Sequence, residues 1–197
     1  MPRGKKAEVR KREIVEQFYQ VIVEDGLERA SLARIAERLS VSPSLLIHHF
    51  KNKDELILQL MDYILGKYAE SFSAMIDAIQ GSRQRISSIL DLIFSREWTK
   101  TIDDRVYITC LHLGQQNNKA KRRLQGMYRI YIDMLEKEFE QYADDNPELE
   151  IEPEKLVRLI ISVQEGLDIF KDLFPDDRNF QDLGSYVKPL ILNILKT

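Results

Sequence analysis

Apolar residues recur at three- and four-residue spacing through almost the whole chain, and the alternating runs that make half-buried strands are scarce. This pattern predicts an all-α protein of about nine helices. The first helix is expected from about Glu8 to Asp25, with Ile14, Phe18, Val21 and Ile22 on its inner face and Gly26 as its stop. A basic arm, Pro2 to Lys6, precedes it. The second helix follows Ser31, whose hydroxyl can cap free backbone N–H groups, and buries Leu32, Ile35, Ala36 and Leu39. Later helices are expected near 83–96, 104–115, 119–143, 153–174 and 181–196. Loops fall at 144–153 and 174–177, where acidic residues and proline cluster.

The most informative stretch lies between the second helix and the long one that follows. Ser42 reads as an N-cap, and Pro43 suits the first helical position, where no N–H is required. The helix that follows is only about seven residues long and cannot stand alone in water. Val41, Leu46 and Phe50 are spaced to hold it from beneath. Asn52 and Glu55 then repeat a cap and its partner, opening a helix to about Phe72.

Two short helices around a tight turn, the second rich in small and polar residues, make the helix-turn-helix pattern. In that motif the second helix sets its first side chains against base edges in the major groove. Only slender residues permit such an approach, and Ser42, Pro43 and Ser44 are slender. Leu45, Ile47, His48 and His49 complete the candidate reading helix. Lys51 and Lys53 follow it within reach of flanking phosphates. Ser31 and Arg34 are further candidate contacts on the helix before, though capping is the surer role for Ser31. His48 and His49 are sequence neighbours pointing about 100° apart on a helix, so they cannot chelate a metal jointly.

Charge supports this division. The net charge is −3, which alone argues against a polyanionic partner. Residues 1–53, however, hold 11 Lys/Arg against 7 Asp/Glu, whereas the remainder holds 18 against 25. Two modules are therefore expected, 1–53 and 54–197, joined inside the helix that begins at Lys53. No apolar run approaches the roughly 18 residues needed to span a bilayer, so a cytoplasmic location without membrane contact is expected. Cys110 is the single cysteine, which excludes an internal disulfide and is expected to be a buried, inert thiol. No metal or cofactor is implied. An enzyme is disfavoured, because no Gly-rich phosphate loop, paired His ligands or nucleophile motif is present.

Residues 14–60 resemble the N-terminal domain of the TetR family of transcriptional regulators. The resemblance rests on Phe18, Gly26, Ala30, Ser31, Ile35-Ala36, Val41-Ser42, His49-Phe50, Lys53 and Glu55-Leu56, in that order and spacing. It implies a three-helix DNA-binding domain running into a larger helical domain that dimerises and holds a small effector. Three positions depart from the usual pattern: Ser40 and Ser44 stand where glycine is common, and Ile47 where the family usually has a phosphate-contacting tyrosine. His48, a neutral donor or at lower pH a cation, is the candidate to replace that contact.

Helices 153–174 and 181–196 carry broad apolar stripes, which a second copy of the chain would cover as a four-helix bundle. Tyr68, Trp98, Tyr107, Cys110, His112, Tyr128, Tyr131 and Gln164 are candidates to line an effector site. They suit a hydrophobic or aromatic molecule, although residues of these types are more often plain core. The reading that follows is a repressor of a palindromic operator, released by a small effector. The alternative uses the same head without a ligand, as a nucleoid-bound adaptor.

Overall fold

The computed structural model describes residues 3–76, 79–95, 102–148, 150 and 152–195. Among these there are nine helices and no strand. They are α1 (Arg3–Asp25), α2 (Leu32–Arg38), α3 (Pro43–His49), α4 (Lys53–Ile76), α5 (Ser82–Ile93), α6 (Asp104–Gln116), α7 (Asn118–Asp145), α8 (Pro153–Leu173) and α9 (Arg178–Ile194). The chain forms two compact units, Met1–Tyr68 with Ile102–Met127, and Ala69–Thr101 with Tyr128–Thr197.

In the first unit the stripe on α1 is buried as its spacing requires: Ile14, Phe18, Val21 and Ile22 are all fully enclosed. They meet Ile35 and Ala36 of α2, Leu46 of α3, and Leu56, Leu60, Met61 and Ile64 of α4 in one core, which Val106 and Cys110 of α6 extend. Polar ties reinforce this packing. The Tyr19 hydroxyl accepts a hydrogen bond from the Asp103 backbone N–H at 2.9 Å, fixing the start of α6 to α1. The Lys67 ammonium of α4 lies 5.6 Å from the ring centre of Tyr19 and 5.2 Å from that of Tyr63, within cation–π range.

The helix starts show which side chains cap and which do not. The Asn52 side chain accepts from the Glu55 N–H, and Glu55 reaches back to the Lys51 N–H, both at 2.9 Å. Asp103 caps α6 and Asp177 caps α9 in the same way. Asp177 starts α9 at Arg178, a turn earlier than the apolar spacing alone suggests. Helix α1 also begins earlier than expected, at Arg3. Lysine, arginine and alanine favour helix, and the pairs Lys11–Glu8, Arg10–Glu13 and Arg12–Glu16 support its exposed side, so Arg3 to Lys6 of the expected arm belong to the helix.

In the second unit α5, the later part of α7, α8 and α9 enclose Ile86, Ile89, Leu90, Leu135, Phe139, Val157, Ile160 and Ile191. The buried Tyr142 hydroxyl donates to the Leu195 carbonyl at 2.9 Å. Gly184 allows α9 to approach the end of α5 closely, since a Cβ there would come within 2.8 Å of the Phe94 carbonyl oxygen. A Cβ at Gly166 would meet nothing within 4 Å among the described residues. Among the described residues no helix is long and apolar enough to cross a membrane.

The clamp beneath α3 yields a direct test. Leu46→Ala should cost about 2–5 kcal/mol, the usual range for truncating a buried leucine. Urea unfolding monitored by circular dichroism would measure it. A loss below about 1 kcal/mol would mean that Leu46 does not anchor the helix.

Candidate nucleic-acid interface

Helix α2 ends in a tight motif that sets the angle of α3. The Val41 N–H bonds the Ala36 carbonyl and the Ser40 N–H bonds the Glu37 carbonyl, each at 3.0 Å. This is the Schellman arrangement, and it requires a left-handed residue at Ser40, whose φ is +53°. Glycine would take that conformation without strain, which explains the physical meaning of the glycine common at this place in the resembled family.

Beyond the turn, α3 divides cleanly into two faces. Leu46 and Phe50 are buried, Leu45 and His49 are half-buried, and Ser42, Pro43, Ser44, Ile47 and His48 are exposed. Ser42 occupies the cap position but makes no capping bond; its hydroxyl pairs with that of Ser44 at 2.9 Å instead. Ser31, by contrast, does cap α2, accepting from the Arg34 N–H at 3.2 Å.

The expected phosphate contacts have different circumstances. Lys51 is exposed. Lys53 is half-buried and its ammonium donates to the Leu27 carbonyl, so it ties the start of α4 to the turn after α1. Burial holds its basicity below that of an ordinary lysine, against the pull of Glu28 and Asp54. The Arg34 guanidinium pairs with Glu37 at 2.9 Å and Asp25 at 3.3 Å. Arg38, which sequence reasoning passed over, pairs with Glu24 and braces α2 against α1. These cross-helix ion pairs depend on tertiary placement and leave no local sequence signal.

His48 and His49 stand edge to face, with ring centres 5.5 Å apart. Burial lowers the His49 pKa, and the nearby His48, Lys11 and Arg10 lower it further, while Glu8 opposes them. No group of three or more His, Cys, Asp or Glu residues suited to a metal occurs among the described residues.

The candidate effector residues fall in both units. In the first, Tyr107 is half-buried against the core and Cys110 is enclosed, its thiol pushed up to about 12 by burial. His112 is exposed, 2.9 Å from the Gln116 amide nitrogen. In the second, the Tyr128 hydroxyl donates to Glu165 at 2.8 Å and Tyr131 is half-buried. Gln164 is only 4% exposed; its amide nitrogen donates to Asp168, while its amide oxygen has no hydrogen-bond partner among the described residues. Trp98 and the side chain of Tyr68 lie outside the described residues.

A capped short helix, a left-handed turn and a second helix with a slender exposed edge define a helix-turn-helix DNA-binding regulator. Residues 14–60 match the model of bacterial regulatory proteins of the tetR family, and residues 81–197 match that of the tetracyclin repressor-like C-terminal domain. The HTH-type transcriptional regulator BetI of Brucella anthropi is 30% identical over 135 residues, 68% of each chain. A TetR transcription regulator from Haloarcula marismortui shares the fold with a TM-score of 0.81 at 15% identity, covering 96% of this chain and 97% of that one. A regulator from Saccharomonospora viridis, solved in complex with choline, has a TM-score of 0.77 at 14% identity and covers 96% of each chain. The chain belongs to the TetR family, and it is a DNA-binding transcriptional regulator.

The environment of His49 gives a pH dependence with a definite sign. Its folded pKa lies below the usual 6.5, so the unfolded chain takes up the proton first and stability falls as pH drops below that value. Melting temperatures at pH 7.5 and pH 5 should therefore differ less for His49→Asn than for the parent protein. Equal differences would show that His49 contributes nothing.

Proposed function

We propose that the protein is a repressor that grips a palindromic operator as a homodimer and leaves it when a small organic effector binds. The observation that carries this reading is the exposed edge of α3 from Ser42 to His48, held over a buried Leu46 and Phe50. Ser44, Ile47 and His48 share one face by helical spacing, and no acidic residue lies on α3 to repel a duplex. Ser31, Leu45, His49 and Lys51 flank that edge. Arg34 and Lys53 would contact phosphate only by exchanging or sharing their present partners.

A single such head meets too few base pairs for high specificity; two on a palindrome multiply discrimination. The outward faces of α8 and α9 support a two-fold assembly. Leu159, Phe170 and Leu173 on α8 and Tyr186, Leu190 and Ile194 on α9 are all exposed, although neighbours in the same stripes are buried. Phe170, Phe174 and Phe180 stack with ring centres 5.1 to 6.3 Å apart, extending the apolar surface round the corner between the helices. A patch of this kind is costly in water unless a partner covers it.

For the effector, the buried amide oxygen of Gln164 is the most suggestive group. An enclosed acceptor without a donor costs free energy that a ligand N–H or O–H would recover. Tyr128 and Tyr131 would supply apolar walls. The effector then acts by binding one arrangement of the helices around it more tightly than another.

Titration of promoter-region DNA at modest salt tests the central reading. The parent protein should shift a duplex cooperatively, whereas Leu159→Glu with Leu190→Glu should sediment as a monomer and bind at least tenfold more weakly. Failure to bind any DNA would refute regulation through α3; an unaffected dimer would refute the α8–α9 interface. A second measurement concerns the ligand. Gln164→Leu should still fold, as a thermal melt of the free protein would verify, yet abolish the shift produced by any small molecule found to stabilise the parent. A retained shift would remove Gln164 from the site.

A further inference from the structure

The outward edge of α3 has few groups able to read bases by hydrogen bonding. Pro43 has no N–H, and the bond between the Ser42 and Ser44 hydroxyls takes up one of their two hydrogens. Among these slender neighbours stands Ile47, 57% exposed. It lies three residues after Ser44 and four after Pro43, so the three share a face. A lone exposed aliphatic side chain is ordinary on most surfaces. Here it is the tallest apolar group on the edge that approaches DNA, and its branched Cβ restricts it to few rotamers.

Of the base edges in a major groove, only thymine presents an apolar substituent, its 5-methyl group. Against a guanine or adenine edge Ile47 would strip water from acceptors or donors without replacing their hydrogen bonds, which is unfavourable. We propose that Ile47 selects thymine in each operator half-site by packing against the 5-methyl group, with the Pro43 ring as a second wall. This specificity role rests on the operator-binding reading above. It also gives a positive function to the position where the family usually carries tyrosine.

The test removes one methyl group at a time. Duplexes bound by the full-length protein are first selected from a random-sequence pool. Each thymidine of the selected half-site is then replaced by deoxyuridine, which keeps pairing and every hydrogen-bonding group. Binding is followed by fluorescence anisotropy. One position should weaken binding about fourfold per half-site, and about fifteenfold when both half-sites are changed, the value of one buried methyl-sized group each. Ile47→Ala should weaken binding to the thymidine duplex by a similar factor or more, and should then be indifferent to deoxyuridine at that position. Alanine is a better helix former and the side chain is exposed, so the variant should fold, as a thermal melt would verify.

Two results would overturn the proposal. If no deoxyuridine position weakens binding, no thymine methyl is read. If Ile47→Ala weakens thymidine and deoxyuridine duplexes equally, the side chain packs elsewhere, as on the sugar–phosphate backbone. Failure to select any duplex would remove the operator-binding reading itself, an outcome distinct from both.

Discussion

The burial of Leu46 and Phe50 beneath a seven-residue helix is the constraint on which the rest depends. Such a helix has too few internal hydrogen bonds to persist alone, so its geometry is borrowed from the α1–α2–α4 core. The same packing decides which side chains remain outside. Because Leu46 points inward, Ser44, Ile47 and His48 point outward, and the fold presents an edge of small side chains interrupted by one isoleucine and one histidine. Stability and the proposed recognition are here two faces of one helix.

Charge is arranged with similar economy. Arg34, Arg38 and Lys53 spend their charge within the protein, bracing α2 and the start of α4 against α1 and the turn that follows it. The carboxylate partners of the two arginines occupy the places that a phosphate would otherwise take. Exposed ion pairs of this kind are weak individually, so a polyanion could compete for the arginines at modest cost. Lys53 is different, since its partner is a backbone carbonyl and its burial already disfavours the charge. The first unit therefore combines a firmly fixed frame with an exposed α3 edge that carries little charge of its own.

Much of this was legible in the sequence because the information was local. The stripe Ile14–Phe18–Val21–Ile22, the cap at Ser31 and the Asn52–Glu55 pair follow from spacing and side-chain chemistry over three or four residues. The Ser42 hydroxyl escaped that logic: it has the right residue type at the cap position, but Ser44 offers it a competing partner. The early start of α1 was hidden because a run of lysine and arginine suits a solvated arm and a helix equally well. Long-range ties such as Tyr19 to Asp103 have no signature at all, since the two residues meet only when α1 and α6 pack. Likewise, periodicity identified the apolar stripes of α8 and α9 but could not divide them into a buried half and an exposed half. Of the site, the outward edge of α3 was readable; the internal pairing of Arg34 and Lys53 was not.

The most direct measurement of the central claim is methyl NMR of the isoleucine-labelled protein with and without a bound duplex. If the edge of α3 enters the groove, the Ile47 methyl resonances shift on binding and show contacts to DNA protons, while those of the enclosed Ile14 and Ile35 show none. Contacts from Ile47 to other protein residues in the free chain, with no change when the duplex is bound, would contradict the account.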